Sequence, residues 1–163
     1  LVNRLKAQER AGAGTLDLMH WLMATLHEAE APARAQQAES ESAEEGEALA
    51  IDIVAEDHAH VFVAAARGLD LPTRFVTGYR FDPARRSARL HAWAEVHIDD
   101  TLGWVGFDPS ANLCPTDAYV RLAVGLDAES AAPIRRVPDY PPDGPESLEI
   151  AQVFASAQSQ SQG

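Results

Sequence analysis

The spacing of apolar residues predicts two helices in the first part of the chain. Thr15 is a suitable N-cap, and apolar residues then recur at helical spacing as far as about His27. A second apolar run begins near Ala55 and ends near Gly68, a residue type that often terminates helices. Because this second run is apolar on most of its sides, it predicts a buried helix.

The hydrophobic period changes to two in the middle of the chain, which indicates strands. Short alternating runs of β-branched and aromatic residues predict five of them, at 73–81, 90–98, 103–107, 119–126 and 147–154. The segment 80–89 contains Asp82, Pro83 and several arginines and is predicted as a hairpin connection, while Asp99 and Gly103 mark the next turn. Helices followed by consecutive strands predict an α+β domain, with an antiparallel sheet packed against a central helix.

The length of 163 residues favours one domain, which we expect to span 1–154. Residues 31–48 are rich in Ala, Glu, Gln and Ser, and they predict an acidic loop or a loosely packed helix. The last residues, 155–163, predict a disordered polar tail. The chain begins at Leu1 rather than at a methionine, which suggests a processed chain or a fragment of a longer one.

The charge and the cysteine content restrict the expected partners and location. A formal net charge of −12 argues against a non-specific surface for nucleic acid or anionic membrane, both of which need clustered basic residues. Most of the excess lies between Glu28 and Asp57, where ten acidic residues accompany one base, Arg34. We interpret this segment as a solvated loop rather than a docking surface. The single cysteine, Cys114, cannot form an internal disulfide, and a cytoplasmic location is expected.

Three segments contain the residues that could carry chemistry, namely 55–69 (AEDHAHVFVAAARGL), 90–96 (LHAWAEV) and 103–110 (GWVGFDPS). Thiol enzymes can use a residue at a helix N-terminus, a histidine on one strand and an aspartate at the end of the next. The helix dipole and the imidazole lower the pKa of the thiol, and the carboxylate orients the imidazole. This order of segments points to acyl transfer through Cys, His and Asp.

The same segments closely resemble the bacterial branch of the transglutaminase-like superfamily. Its motifs run Cys-x-Asp-x-Ala-His on a helix, then Gly-Tyr, then His-Ala-Trp-x-Glu, then Gly-Trp-x-x-Phe-Asp-Pro. The matching residues are Asp57, Ala59, His60, Gly78, Tyr79, His91, Ala92, Trp93, Glu95, Gly103, Trp104, Phe107, Asp108 and Pro109. The resemblance covers about 16–153 and implies a papain-like fold in which His91 is the general base and Asp108 orients it. It further implies cleft or motif positions for Asp57, His60, Tyr79, Trp93, Glu95 and Trp104.

The chain departs from the family pattern at the nucleophile. The catalytic cysteine of the family aligns with Ala55, whose methyl group can neither ionise nor attack a carbonyl. The position two residues earlier, usually glycine in the family, is Ile53. We therefore expect no covalent chemistry from the chain as written, and a naturally degenerate site is favoured over a Cys→Ala variant.

No other residue is a convincing substitute for the missing sulfur. Cys114 lies in the loop after Asp108 and is interpreted as a half-buried structural thiol. Ser110 and Thr116 have no predicted base nearby.

A metal site is an alternative for the helix motif, since Asp57 and His60 lie one turn apart and His58 is between them. The family carries the same Asp-x-Ala-His beside a working thiol, so structural hydrogen bonds are favoured, and no metal or other cofactor is expected. Aromatic residues at alternating or helical spacing are predicted to be core and cleft-wall residues: Phe62, Trp93, Trp104 and Phe107.

Three functions remain open from the sequence. The first is a pseudoenzyme that binds a peptide or protein without a covalent step. The second is a thiol hydrolase or transamidase, acting on peptide bonds or Gln side chains, with its nucleophile mutated to Ala55. The third is a structural domain of a larger protein whose acidic segment makes the useful contacts. The substrate and the oligomeric state are not determined by fold or motif.

Overall fold

The structure is a computed structural model that describes residues 1–29, 53–84 and 86–133. Its elements are α1 (Val2–Arg10), α2 (Thr15–Ala29), α3 (Ile53–Arg67), β1 (Thr73–Asp82), β2 (Ser87–His97), β3 (Trp104–Phe107) and β4 (Tyr119–Gly125). The predicted acidic segment 31–48, the predicted strand 147–154 and the tail 155–163 lie outside the described residues.

The four strands form one antiparallel sheet in the order β3-β2-β1-β4. The predicted α+β class is confirmed, because helices pack on this sheet. The β1–β2 ladder runs from Thr73 opposite Val96 to Asp82 opposite Ser87. It is therefore longer than predicted, since pairing continues into the arginine-rich segment that the sequence marked as a connection. Asp82 accepts a hydrogen bond from the backbone nitrogen of Ala84 at 2.8 Å, which closes a tight turn.

The two predicted helices are present as α2 and α3. The apolar stripe of α2 is buried as its spacing requires: Leu18, Met19, Leu22, Met23 and Leu26. The predicted burial of α3 is confirmed except along one side. Asp57, Val61 and Ala64 form an exposed side, and Val61 is 46% exposed. The reason is that α3 packs against the sheet and α2, which leaves its third side to solvent.

The first helix, α1, is not predicted by hydrophobic spacing. Its only buried residue is Leu5, and the helix packs against α2. A nine-residue helix with one buried side chain gives too short a pattern to recognise, and such a helix depends on tertiary contacts for its stability.

The helices cover one face of the sheet, and the side chains of His91 and Trp93 lie on the other. The core includes Ala92, Ala94 and Val96 of β2 together with side chains from all three helices. Successive side chains of a strand point to opposite faces, so His91 and Trp93 lie on the second face. Among the described residues, the helices are too short or too polar to cross a membrane.

Candidate active site

His91 and Asp108 form the centre of the candidate site. Strand β3 pairs with β2 through Phe107 opposite Ala94, and both of these residues belong to the core on the helical side. The next residue, Asp108, therefore turns toward the face that carries His91. Nε2 of His91 lies 2.7 Å from Oδ2 of Asp108, and the two residues are 3% and 0% exposed. The structure thus brings together the two residues that the sequence proposed as base and orienting carboxylate.

Both carboxylate oxygens of Asp108 accept hydrogen bonds. Oδ1 accepts from the hydroxyl of Ser110 at 2.6 Å and from the backbone nitrogens of Ser110 and Ala111 at 3.0 and 3.2 Å. Oδ2 accepts from His91 and from the hydroxyl of Tyr119 at 2.6 Å. Burial acts to raise the pKa of Asp108, but these hydrogen bonds and the charge of His91 outweigh it and lower the pKa to about 2. Asp108 is therefore ionised at neutral pH and can only accept hydrogen bonds.

The ionised carboxylate determines which nitrogen of His91 carries a hydrogen. Because Asp108 has no proton to give, Nε2 must donate in the contact with Oδ2. In the neutral imidazole, Nδ1 is then the basic nitrogen. The ring packs beside both Trp93 and Tyr119, with centroid distances of 6.4 and 5.8 Å. A ligand group that exchanges a proton with His91 therefore has to reach Nδ1.

Tyr119 is a member of the site that the sequence did not single out. Its hydroxyl donates to Asp108, and its ring meets Trp93 edge-on with centroids 5.5 Å apart. Burial and the charge of Asp108 both raise the pKa of Tyr119, so the phenol remains a donor. Tyr119 begins β4, which pairs with β1. Its place could not be read from the sequence because β1 and β4 are not consecutive strands.

Ser110 lies closer to a base than predicted. Its Oγ is 3.5 Å from Nε2 of His91, so the expectation that no base lies nearby is wrong. The loop after Asp108 turns back on the carboxylate, and this places the hydroxyl there. However, Nε2 carries the hydrogen directed at Asp108, and the Ser110 hydroxyl itself donates to Asp108. This geometry does not activate Ser110 as a nucleophile.

Ala55 lies in the first turn of α3 and is fully buried, with 0% of its surface exposed. Helix α3 packs against β2, the strand that carries His91. A helix N-terminus has partial positive charge, which stabilises a thiolate. The methyl group of Ala55 cannot use that stabilisation.

Gly78 lies opposite His91 in the β1–β2 ladder, where there is no space for a side chain. An added Cβ would collide with the carbonyl oxygen of Val120 and would lie 2.7 Å from Cη2 of Trp93. The Gly of the Gly-Tyr motif is thus required by the close approach of β4 and an aromatic ring. The neighbouring Tyr79 is half-buried opposite Leu90 and Val120, and it is not joined to the His91–Asp108 pair.

Glu95 and Trp104 belong to an ionic cluster on β1, β2, β3 and β4 rather than to the His91 network. Glu95 accepts hydrogen bonds from Nε of Arg74 at 2.7 Å and from Nη1 of Arg121 at 3.0 Å. The guanidinium of Arg74 lies 4.1 Å from the ring centre of Trp104. Trp104 is 43% exposed on an edge strand, so it is not a core residue, and of the two predicted roles only that of a cleft-wall residue remains for it. The other three predicted core aromatics are buried: Phe62, Trp93 and Phe107.

The polar residues of the α3 motif have separate environments. Asp57 is exposed and His58 is buried. His60 packs on Phe75 with ring centroids 4.6 Å apart, and its Nε2 lies 3.8 Å from Glu56. Within 1–29, 53–84 and 86–133, no group of three or more His, Cys, Asp or Glu side chains could hold a metal ion.

Cys114 lies beside His20 of α2, with Sγ 3.7 Å from Nε2. It is half-buried and packs against the core. Burial raises the pKa of the Cys114 thiol, so the protonated form predominates at neutral pH. This environment is consistent with a structural thiol.

Comparison with known proteins identifies the class to which this fold and site belong. The sequence pattern of the transglutaminase-like superfamily matches residues 18–109, which is more than half of the chain. The chain therefore belongs to the transglutaminase-like superfamily.

Two relatives illustrate how much of a longer protein the match covers. An uncharacterized protein of Mycobacterium leprae is 31% identical over 91 residues, covering 52% of this chain and 31% of that protein. A crystal structure of a candidate cysteine protease from Cytophaga hutchinsonii is 36% identical, with a TM-score of 0.41, and the similarity covers 48% of this chain and 25% of that one. The chain thus matches less than a third of the length of either relative.

Proposed function

We propose that this chain is a degenerate transglutaminase-like domain that binds a peptide or protein segment without a covalent step. The observation that carries the proposal is Ala55, a fully buried methyl group in the first turn of α3. By the resemblance of the motifs, the nucleophile of the family aligns with this position. Without a sulfur there, no thioester can form, whatever the condition of His91.

The polar network around His91 supports a retained binding cleft. Asp108 is completely buried and ionised, and its five hydrogen bonds offset the cost of burying the charge. The network leaves Nδ1 of His91 as the ring nitrogen that does not contact Asp108, and in the proposed function a peptide amide hydrogen-bonds to it. Peptide binding uses this nitrogen as a hydrogen-bond partner, where an active relative would use it as a base.

The second candidate is a thiol hydrolase or transamidase whose nucleophile has been mutated to Ala55. The intact contact of 2.7 Å between His91 and Asp108 favours it, because this is the arrangement a thiol enzyme needs. Acyl transfer from a peptide bond or a Gln side chain would be its reaction.

The two candidates are separated by restoring the sulfur. Ala55→Cys is made together with Cys114→Ser, and its alkylation by iodoacetamide is followed from about pH 4 to about pH 9, a range that brackets the free-thiol pKa of about 8.5. The degenerate domain predicts an ordinary or buried-thiol profile that His91→Ala does not change. Rapid alkylation with a depressed pKa that is lost in His91→Ala would support the thiol enzyme and contradict degeneration.

Binding is tested on the unaltered chain. Peptides are enriched from a phage-displayed library of random dodecapeptides, and the ring signals of His91 are followed by NMR as an enriched peptide is added. The proposal predicts that these signals shift on saturation. Failure to enrich any peptide, or enrichment of peptides that leave the His91 signals unchanged, would contradict it.

A further inference from the structure

Strand β4 lies at an edge of the described sheet and exposes apolar side chains there. The strand order β3-β2-β1-β4 gives β4 a neighbour on one side only among the described strands. Four large apolar side chains of β4 and the residue after it are exposed, by 56%, 48%, 43% and 70% for Val120, Leu122, Val124 and Leu126. An exposed apolar edge of this kind is a template for pairing with a further strand.

The exposed side chains of β4 lie on both faces of the sheet. Val120 lies opposite Tyr79 in the β1–β4 ladder. Val124 lies opposite Val76, beyond an irregularity in that ladder. Tyr79 and Val76 are three residues apart, so their side chains point to opposite faces, and the side chains of their partners do the same. A ligand on one face would cover only one of the two valines, whereas a strand alongside β4 covers side chains on both faces.

The chain leaves the described residues beside the end of β4. Ala131 is fully buried, and a Cβ added to Gly125, the last residue of β4, would collide with Ser130 and with the backbone nitrogen of Ala131. The chain after the strand therefore folds back against the end of β4. Residues 134–163 continue from this place, directly after Pro133.

The predicted strand 147–154 (SLEIAQVF) has the composition that a neighbour of β4 needs, although it lies outside the described residues. Its apolar residues would fall on both faces of a strand, Leu148, Ile150 and Phe154 on one and Ala151 and Val153 on the other. This two-sided pattern matches the two-sided exposure of β4. It is typical of a strand that lies between covered faces rather than of one with a solvated face.

We propose that residues 147–154 pair with the outer edge of β4 and bury its exposed apolar side chains. The connection 134–146 is long enough, since thirteen extended residues reach roughly 40 Å and the seven residues of β4 extend about 24 Å. Because both strands belong to one chain, the tether gives an effective concentration on the order of mM. A second copy of the chain is disfavoured, since a net charge of −12 on each copy opposes association.

This inference goes beyond the proposed peptide binding and does not depend on it. If 147–154 occupies the outer edge of β4, a peptide ligand cannot add to the sheet at that edge. The ligand of the proposed function then has to bind at the face that carries His91.

Backbone NOEs in the unaltered full chain test the pairing directly. We expect contacts between the backbone protons of 119–125 and those of 147–154, which also establish the direction of the added strand. In a sample that mixes isotope-labelled and unlabelled chains, these contacts should arise within one chain. The absence of such NOEs would overturn the inference, and NOEs between chains would overturn it in favour of a second copy.

Amide hydrogen exchange measures what the segment contributes to β4. Leu148→Asp/Ile150→Asp places two charges on one face of the proposed strand, and the control Ser156→Asp/Ser159→Asp adds the same charges after it. The β4 amides that point away from β1 should exchange slowly in the unaltered chain and in the control. They should exchange at least about tenfold faster in Leu148→Asp/Ile150→Asp, as the loss of a backbone hydrogen bond implies. The amides of the β1–β2 ladder should stay protected in all three forms.

Two exchange results would also count against the pairing. Fast exchange of these β4 amides in the unaltered chain would mean that the edge is not covered. Equal protection in all three forms would mean that something other than 147–154 covers it. If Leu148→Asp/Ile150→Asp does not fold, which loss of protection in the β1–β2 ladder would reveal, the NOEs of the unaltered chain decide the question. Peptide binding at His91 is tested separately by its own NMR titration.

Discussion

Replacing Tyr119 by phenylalanine isolates one hydrogen bond of the candidate site. The change removes the hydroxyl that donates to Oδ2 of Asp108 at 2.6 Å, and it keeps the ring that packs against His91 and Trp93. Phenylalanine has no donor of its own to leave without a partner, although it also removes the phenol oxygen with which Arg80 interacts. Asp108 keeps its hydrogen bonds from His91, Ser110 and Ala111. At Asp108 the perturbation is therefore confined to one acceptor oxygen, Oδ2.

The magnitude follows from the charge on Asp108. Hydrogen bonds to charged groups contribute about 1.5–3 kcal/mol to stability. Since four other hydrogen bonds still solvate the carboxylate, we expect a loss near the lower end, about 1.5 kcal/mol in the free energy of unfolding at neutral pH. The pKa of Asp108 should rise at the same time, because one of the contacts that lower it is gone.

Urea unfolding followed by tryptophan fluorescence measures this loss. Tyr79→Phe is the matched control, because Tyr79 is also half-buried in the sheet and its phenol forms no hydrogen bond with another described residue. The control should change the free energy of unfolding by less than about 0.5 kcal/mol. In an Asp108→Asn background the effect of Tyr119→Phe should shrink, since the acceptor charge is absent.

Two outcomes would refute this reasoning. Equal losses for Tyr119→Phe and Tyr79→Phe would show that the hydroxyl of Tyr119 contributes nothing specific. An undiminished effect of Tyr119→Phe in the Asp108→Asn background would show that the contribution does not depend on the charge of Asp108.

Two further predictions concern the same site. Gly78→Ala should lower the free energy of unfolding by about 1–3 kcal/mol, the usual range for overpacking, because the new Cβ would press on the backbone of Val120 and the ring of Trp93. The control is Gly14→Ala, whose Cβ would meet only a flexible Asp17 oxygen at 3.5 Å. It should have little effect in the same urea titration. The depressed pKa of Asp108, about 2 against 3.8, gives stability that is present above about pH 4 and is lost as the pH falls toward 2. This lowered pKa stabilises the folded protein at neutral pH by on the order of 2 kcal/mol. In acid titrations, the stability difference between the unaltered protein and Asp108→Asn should therefore be largest above about pH 4 and should decrease toward pH 2. A difference independent of pH would contradict this.

The local pattern of hydrophobic and polar residues was sufficient to predict most of the described helices and strands. Residues close together in sequence form the apolar stripe of α2, the apolar run of α3 and the alternation of the first four predicted strands. The observed bounds of these helices and strands agree with the predicted ones within a few residues. The ends of strands were less predictable where backbone pairing continues through residues whose composition predicts a turn. The β1–β2 ladder continues to Asp82 and Ser87 because the backbones hydrogen-bond in register whether the side chains are apolar or charged.

The sequence by itself determined the order of the motifs, which predicts His91 and Asp108 in one site and aligns the family nucleophile with Ala55, because motif order and residue identity are written along the chain. Only the tertiary structure decided which side chains complete the site. Tyr119 reaches Asp108 because β4 pairs with β1 across the sheet, and Ser110 does so because the loop turns back on the carboxylate. Trp104 is exposed because β3 lies at the edge of the sheet. These contacts join residues whose proximity depends on the order of the strands and the path of a loop, which hydrophobic spacing along a single chain does not specify.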